Sequence, residues 1–453
     1  VISGSLSFKI MKTVSIATLG CKVNQFESEA LMAALEEKGY SLFPFGSGTD
    51  VTIINTCTVT HRADFDSRQM VRRASRNNPD SLIIVTGCYP QVAPEVFTRM
   101  EGVHYLIGNR EKDQIPDLLA LLEKGGLPRI QVGDIQEVKT FTETPVYTFQ
   151  RHTRAFLKIQ DGCNERCSYC IVPHARGPSR SLSPERVVEY LRVLKGRGFK
   201  EVVLTGIHIG SYGRDLQPSF SLERLLQRIE IEDTPCRIRL SSIEPLDFSE
   251  TLVSFLSRST KVCPHLHIPV QSGDDEILKR MNRNYHRILL KDLIEELHRN
   301  IPEVSIGADV IVGFPGEVEE SFENTYQWME TLPLSYLHVF PFSRRKGTPA
   351  AQLDQQVDAR EIRKRAERMR ELGRQKRRSF YGQFLHQTLK VLLEDRREKG
   401  SGRWKGFSRN YIPVTLSEGN ELNLANQEQG VVVTEWNDQG VIGHLAEDRA
   451  YDG

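Results

Sequence analysis

Three times in the first 88 residues a short apolar run rich in β-branched side chains stops near a cysteine and gives way to a helical pattern. The runs are 14–19, 51–54 and 82–86, and the cysteines that follow are Cys21, Cys57 and Cys88. Behind them come stretches with helical spacing: 27–38, with Ala30, Leu31, Ala34 and Leu35 on one face, and 67–76. Strand and helix alternating in this way predict a parallel sheet with βαβ crossovers, in which ligands sit beyond the carboxyl ends of the strands. The cysteines, separated by 36 and 31 residues, then share one edge of one sheet. A single cysteine at a strand end reads as a small buried hydrophobe. Three at the same topological position read as a ligand set.

A second trio is local. The run GCNERCSYC places Cys163, Cys167 and Cys170 in one loop after the apolar run 155–160, with the aromatic Tyr169 before the last cysteine. Iron–sulfur clusters are held by thiolates, usually four of them. Three leave one iron open, and an open metal position marks a catalytic site rather than a structural one. The other reading is half of a zinc site, completed by Cys236 or Cys263. Those two cysteines precede apolar runs instead of following them, so they are expected at the opposite strand ends as buried structural thiols. No stretch approaches the roughly 20 apolar residues of a membrane span, and no secretory h-region is visible. The expected setting is cytoplasmic and reducing, without disulfides.

The 453 residues suggest about two to four domains. Sixty basic against 59 acidic residues leave the net charge uninformative, so only local clusters bear on nucleic acid. In the middle, strand candidates at 156–160, 202–206, 238–242, 265–270, 308–314 and 336–342 alternate with helices such as 183–197, with Ser183 as N-cap and Pro184 in its first turn. Six βα units predict a partial TIM-like barrel with its active groups at the carboxyl ends of the strands. Thr205 and Gly206 stand at one such end, and Gly206 offers a backbone that a ligand can approach closely. Arg176 suits either a phosphate or carboxylate contact or a structural ion pair.

Residues 360–378 hold ten basic and three acidic side chains, with Ile362, Ala366, Met369 and Leu372 on one helical face. So one-sided a helix suggests phosphate contact. Short strand patterns follow at 388–393, 411–415 and 431–434, as in a small β-barrel. Between them Lys399, Arg403, Lys405 and Arg409 interleave with Trp404, Phe407 and Tyr411. Cations beside rings are what single-stranded RNA binding needs.

The runs TLGCKVNQFESE (18–29), NTCTVT (55–60) and TGCYPQ (86–91) resemble the amino-terminal domain of the methylthiotransferases, and KIQDGCNERCSYCIVPHARG (158–177) resembles their radical S-adenosylmethionine (SAM) loop. GCKVNQ and LTGIHIGSYG (204–213) are most similar to the branch acting on threonylcarbamoyladenosine in tRNA. The resemblance implies an α/β protein: an extension (1–10), a Rossmann-like domain (11–130), a linker (131–150), a partial (βα)6 radical-SAM barrel (151–378), an OB-like TRAM domain (379–446) and a tail (447–453). It implies two 4Fe-4S clusters, on Cys21, Cys57 and Cys88 and on the catalytic Cys163, Cys167 and Cys170. It also implies two SAM molecules per turnover, an external flavodoxin- or ferredoxin-like electron donor, and a monomer without membrane contact. SAM contacts are expected from Tyr169, Thr205, Gly206, Ser242, Gln271 and Gly313, and tRNA contacts from Arg176, Arg403, Lys405 and Arg409. The implied reaction inserts a methylthio group at carbon 2 of the modified adenosine at position 37. The alternatives are isopentenyladenosine tRNA or a ribosomal-protein aspartate as substrate, a non-catalytic iron–sulfur RNA-binding regulator, or a two-zinc structural protein.

Overall fold

The computed structural model describes residues 12–122, 128–144, 153–395, 397–398, 400–417 and 423–446; the expected extension, the tail, Lys399 and the end of the linker lie outside them. The chain divides into two compact units. One comprises Val1–Thr148, Gln160–Leu182 and Ser343–Ala351; the other comprises Phe149–Ile159, Ser183–Phe342 and Gln352–Gly453. The loop of the second trio thus groups with the amino-terminal sheet rather than with the strand that precedes it in sequence.

The first unit is built on a six-stranded, wholly parallel sheet. Its strands are β1 (Thr13–Thr18), β2 (Ser41–Phe43), β3 (Val51–Thr56), β4 (Leu82–Gly87), β5 (Tyr105–Ile107) and β6 (Ile130–Gln131), in the order β2-β1-β3-β4-β5-β6. Strand β3 is buried at every position and β4 at all but its first. Burial on both faces is why these runs read as continuously apolar rather than alternating. One face packs Val14, Leu31, Leu35, Ile53 and Ile84; the other packs Ile54, Val71, Ile83, Val85 and Phe97. Helix Lys22–Glu37 starts directly at Cys21, its N-cap. Helix His61–Asn77 is capped by Thr60, whose side chain accepts from the Ala63 N–H, with Asp64 favourably placed in its first turn. Between Cys88 and β5 the helices are the five-residue Cys88–Val92 and Pro94–Thr98.

In the second unit, Arg154–Lys158, Glu201–Thr205 and Arg237–Leu240 form one parallel sheet, with Glu201–Thr205 central. His265–Gln271, Ser305–Val312 and Tyr336–Pro341 form another, with Ser305–Val312 central. All six expected middle strands are present. Several end earlier than the sequence reading placed them, because Gly206 and Gly313 belong to the turns that leave the strands. Helices Pro184–Gly196, Leu222–Ile231, Arg287–Asn300 and Glu319–Thr331 supply the crossovers; Ser183 caps the first through the Arg186 N–H.

Helix Ala359–Gly382 leads into a closed five-stranded barrel of Thr388–Leu393, Lys405–Ser408, Pro413–Leu416, Glu428–Asn437 and Gly440–Leu445. Val391, Leu393, Val414, Val431, Val433 and Trp404 fill it. Glu201 fastens this barrel to the strand starts. It is buried between Arg237 and Arg239, whose guanidiniums donate onward to the carbonyls of Phe407 and Arg409, both at 3.0 Å. Burial opposes ionisation of Glu201, but the guanidiniums, Arg239 foremost, outweigh it and hold the carboxyl down at about 2.

Candidate metal centres

Sheet topology does what the strand–cysteine pattern predicts. Cys21 follows β1, Cys57 follows β3 and Cys88 follows β4, and these three strands are neighbours in the sheet. Two glycines set the approach. Gly20 has φ +100°, and a Cβ there would lie 2.6 Å from the Cβ of Cys57. Gly87 also has φ +100°, and a Cβ there would meet the carbonyl oxygen of Thr56 at 2.5 Å. Only glycine tolerates both the left-handed backbone and that crowding. Asn24 donates to the carbonyls of Leu19 (2.7 Å) and Thr56 (3.0 Å), tying the Cys21 turn to the Cys57 turn. The hydroxyl of Ser67 donates to the Cys57 carbonyl at 3.0 Å.

Cys57 and Cys88 are buried and Cys21 is exposed, so the trio opens on the Cys21 side. Desolvation pushes the Cys57 thiol up to about 12, with Cys88 and Cys21 adding to the rise. Desolvation also raises Cys21, while the Arg176 guanidinium pulls the other way. Cys88 adds to the rise at both Cys21 and Cys57, which is the electrostatic mark of a shared site.

Arg176 was expected to reach RNA. The structure corrects this, because its side chain is only 2% exposed and is enclosed by the first unit. It donates to both carboxylate oxygens of Glu27 and to the Asn24 side-chain oxygen, with Asp161 at 3.4 Å. Lys112 completes the cage at 2.6 Å from Glu27. Arg176 is therefore a buried cation whose field lowers the ionisation cost of Cys21 and Cys57. Next to it, Asn109 donates to the Ala175 carbonyl (2.7 Å) and to the sulfur of Cys88 (3.6 Å).

In the second trio the backbone holds the sulfurs by short-range bonds. Cys163 N–H donates to the Gly177 carbonyl at 3.0 Å and Cys170 N–H to the Cys167 carbonyl at 3.1 Å. Glu165 N–H points at the Cys163 sulfur, 3.4 Å away. Gln160 clamps the loop base through the carbonyls of Asp161 and Gly162 and the hydroxyl of Ser179. All three cysteines and Tyr169 are half-buried. Desolvation again dominates at Cys163, raising it to about 12. Each trio is an all-thiolate donor set, the kind that iron–sulfur clusters take.

Of the expected SAM residues, all but Tyr169 lie at strand ends of the second unit. Thr205 is buried at the end of its strand, and Gly206 and Ser242 are half-buried just beyond theirs. Gln271 is buried at φ +68°, a left-handed conformation that a non-glycine residue seldom takes. The adjacent Ser241 hydroxyl is buried with no hydrogen-bond partner, an orphan that a bound ligand could satisfy. Gly313 has a packing reason as well, since a Cβ there would run into Ile362.

The RNA stripe is partly absorbed by the fold. Trp404 is 4% exposed in the barrel core and cannot stack on a base. Arg409 is corrected too: its guanidinium donates to the carbonyls of Cys236, Thr260 and Lys261 and so ties barrel to strands. Phe407 stacks on Tyr411 beneath Arg154. Lys405 pairs with Glu398. Arg403 and Lys405 nonetheless line a cavity of about 460 Å³ together with Arg154, Phe407, Glu394 and Glu398. On helix Ala359–Gly382, Arg365, Arg368, Arg374 and Arg378 are paired with carboxylates, while Arg360 and Arg363 are exposed without such a partner among the described residues. Among the described residues no helix is long and apolar enough to cross a membrane.

A radical SAM superfamily model matches residues 157–329, and that of an uncharacterized protein family, UPF0004, matches 13–108. The compact units place the second cysteine loop with the amino-terminal sheet, whereas the radical SAM match groups it with the strands that follow. A protein named threonylcarbamoyladenosine tRNA methylthiotransferase MtaB from Bacillus subtilis (strain 168) is 40% identical over 409 residues, 90% of each chain. One of the same name from Aquifex aeolicus (strain VF5) is 37% identical, covering 84% of this chain and 92% of that one. A tRNA-2-methylthio-N(6)-dimethylallyladenosine synthase from Pelotomaculum thermopropionicum is 35% identical, covering 90% and 92%. The solved radical SAM methyltransferase TsrM from Kitasatospora setae shares the fold, with a TM-score of 0.58 at 15% identity over 75% of this chain and 77% of that one.

Proposed function

This chain belongs to the radical S-adenosylmethionine methylthiotransferases, and we propose that its substrate is the threonylcarbamoyladenosine at position 37 of tRNA, methylthiolated at carbon 2. The observation that carries this reading is the presence of two incomplete cysteine trios in one compact unit, in a chain 40% identical to a relative named for that activity. Breaking an unactivated aromatic C–H bond is beyond acid–base side chains, so cofactors must supply the reaction. When bound, a 4Fe-4S cluster with SAM supplies radical chemistry, and a second cluster supplies a place to hold sulfur.

The protein's own work is to hold, orient and shield. Cys163, Cys167 and Cys170 would carry the SAM-binding cluster and Cys21, Cys57 and Cys88 the auxiliary one. Arg176 would offset the negative charge of the auxiliary thiolates. Thr205, Gly206, Ser242, Gln271 and Gly313, with Tyr169 of the cysteine loop, would take the SAM; the orphan Ser241 hydroxyl supports a polar ligand there. Arg403 and Lys405, which line one cavity with Phe407, would contact tRNA, helped by the exposed Arg360 and Arg363. Electrons would come from a flavodoxin- or ferredoxin-like donor to a monomer working in the cytoplasm.

The test is anaerobic turnover on tRNA carrying threonylcarbamoyladenosine or isopentenyladenosine, read by nucleoside mass analysis and by 5′-deoxyadenosine. The methylthio product on the first tRNA alone is the expected result. Product only on the second would move the substrate to the isopentenyl branch. No 5′-deoxyadenosine on reduction with dithionite would leave a non-catalytic iron–sulfur protein.

A further inference from the structure

His267, Asp309 and His338 come from three neighbouring strands of the second unit. Along these strands Leu266, Ile268, Ile306, Ala308, Val310 and Leu337 are buried apolar residues. The residues between them, His267, Gly307, Asp309, Tyr336 and His338, fall on the opposite face by the two-residue alternation of strands. Pairing then brings the polar groups together: Asp309 is in register with His338, and His267 lies opposite Gly307. Nε2 of His267 is 2.8 Å from Oδ1 of Asp309, and Nδ1 of His338 is 3.4 Å from the same oxygen. Among the described residues this is the one group of three such ligand atoms lying within 4.8 Å of one another.

The geometry points to a site for a single borderline divalent ion, such as zinc or ferrous iron, on His267, Asp309 and His338. Donors bound tetrahedrally to one ion at about 2.0–2.2 Å lie about 3.3–3.6 Å apart. The His338–Asp309 separation of 3.4 Å matches this, and the His267–Asp309 hydrogen bond at 2.8 Å needs to open by about half an ångström. Two imidazoles and a carboxylate suit zinc and the later first-row divalent metals better than magnesium or calcium, and three protein ligands leave a position open for an exogenous oxygen or nitrogen ligand. The supporting shell is also in place. The Tyr336 hydroxyl lies 3.2 Å from Nδ1 of His267, on the ring edge opposite Asp309, and 2.8 Å from Nε2 of His265. A partner on the far nitrogen is how metal-bound histidines are oriented. Gly307 makes room for it, since any Cβ there would overlap the Tyr336 ring. Access is open: the His338 side chain is 51% exposed, while those of His267 and Asp309 are 11% and 22% exposed. No cysteine takes part, so this site is chemically separate from both trios.

The test is anaerobic equilibrium dialysis of the cluster-loaded protein against chelator-buffered zinc chloride, with iron, sulfide and zinc counted separately. One zinc per chain above the cluster metals is expected. Asp309→Asn and His338→Gln should each weaken it by more than about 100-fold without changing the iron and sulfide counts, and Tyr336→Phe by about 10-fold or somewhat more. Cys21→Ala should leave it in place. His338 is half-exposed, so its substitution reports on the site rather than on folding. Absence of saturable zinc uptake, or uptake equal in wild type and both ligand variants, would overturn the assignment, as would zinc lost with Cys21→Ala.

Discussion

Cys163, Cys167 and Cys170 occupy eight residues of chain, whereas Cys21, Cys57 and Cys88 are gathered from a span of 68. The first set is shaped by turn bonds that a short loop makes with itself and with Gly177, at the end of the helix that follows it. The second exists only if three strands take the right order and register and two glycines let the strand ends close together. The local set should therefore survive damage to the sheet that the dispersed set would not. One residue crosses the distinction. Arg176, six residues past Cys170, lies not beside its own loop's sulfurs but among Glu27, Asn24 and Asp161, where its charge acts on the dispersed thiols. The segment that continues from one trio is thus a wall of the other.

The largest effect should come from removing single ligands. Cys163→Ala should abolish both 5′-deoxyadenosine and methylthio product. Cys21→Ala should abolish the product yet leave SAM cleavage, with about half of the cluster iron retained if each trio holds one 4Fe-4S cluster. Unchanged product from Cys21→Ala would erase the division of labour between the trios.

Next comes the buried cation. Arg176→Met leaves Glu27 with Lys112 alone. Removing one partner of a buried ion pair costs about 3–5 kcal/mol, measurable as a lower denaturation midpoint of the apoprotein. Arg176 holds the Cys21 and Cys57 thiols lower than burial alone would, so its loss raises them further. Metal must then compete with protons up to a higher pH, and half-maximal loading of the dispersed set should move to higher pH. SAM cleavage by the local set should persist. Equal loss from both sets would make Arg176 a general folding residue.

The two trios also differ in how much of them the sequence revealed. The local set is legible because its spacing is its geometry. The dispersed set was legible through strand–cysteine–helix repetition, which βαβ topology turns into adjacency. What surrounds each set was not legible. A lone arginine in HARG gives no sign of whether its partner is RNA or Glu27, which lies 149 residues away. The strands β2, β5 and β6 have three residues or fewer, too few to show a period. Trp404 and Arg409 looked like an RNA stripe because core and interface also use rings and cations; only closure of the barrel separates the uses. The His267, Asp309 and His338 group escaped because its members sit inside their strands with no repeated motif to mark them, so only the register of the pairing brings them together.

A smaller effect should separate backbone freedom from crowding. Gly87→Ala meets both a left-handed φ and the Thr56 backbone, whereas Gly39→Ala meets φ +86° with nothing within 4 Å. The control should lose about 1 kcal/mol from the backbone strain alone. Gly87→Ala should lose more and release iron from the dispersed set, because Cys88 is the next residue. Equal losses would show that the sheet edge can relax.

The smallest and most selective effect belongs to Asn109. Its side chain donates at once to the Cys88 sulfur and the Ala175 carbonyl, so it joins the dispersed set to the segment that follows the local one. Asn109→Ala removes both bonds, of which the one to the Ala175 carbonyl is worth about 0.5–1.5 kcal/mol and the long contact to sulfur less, and all six cysteines remain to hold the clusters. Hydrogen bonds to cluster sulfurs offset the charge gained on reduction, and so help to set the potential. The cluster on Cys21, Cys57 and Cys88 should therefore become harder to reduce, while the potential of the other stays fixed. Redox titration followed by electron paramagnetic resonance reads the two separately. A shift in both, or in the cluster on Cys163, Cys167 and Cys170 alone, would mean that the N–H···S contact to Cys88 does not distinguish the trios.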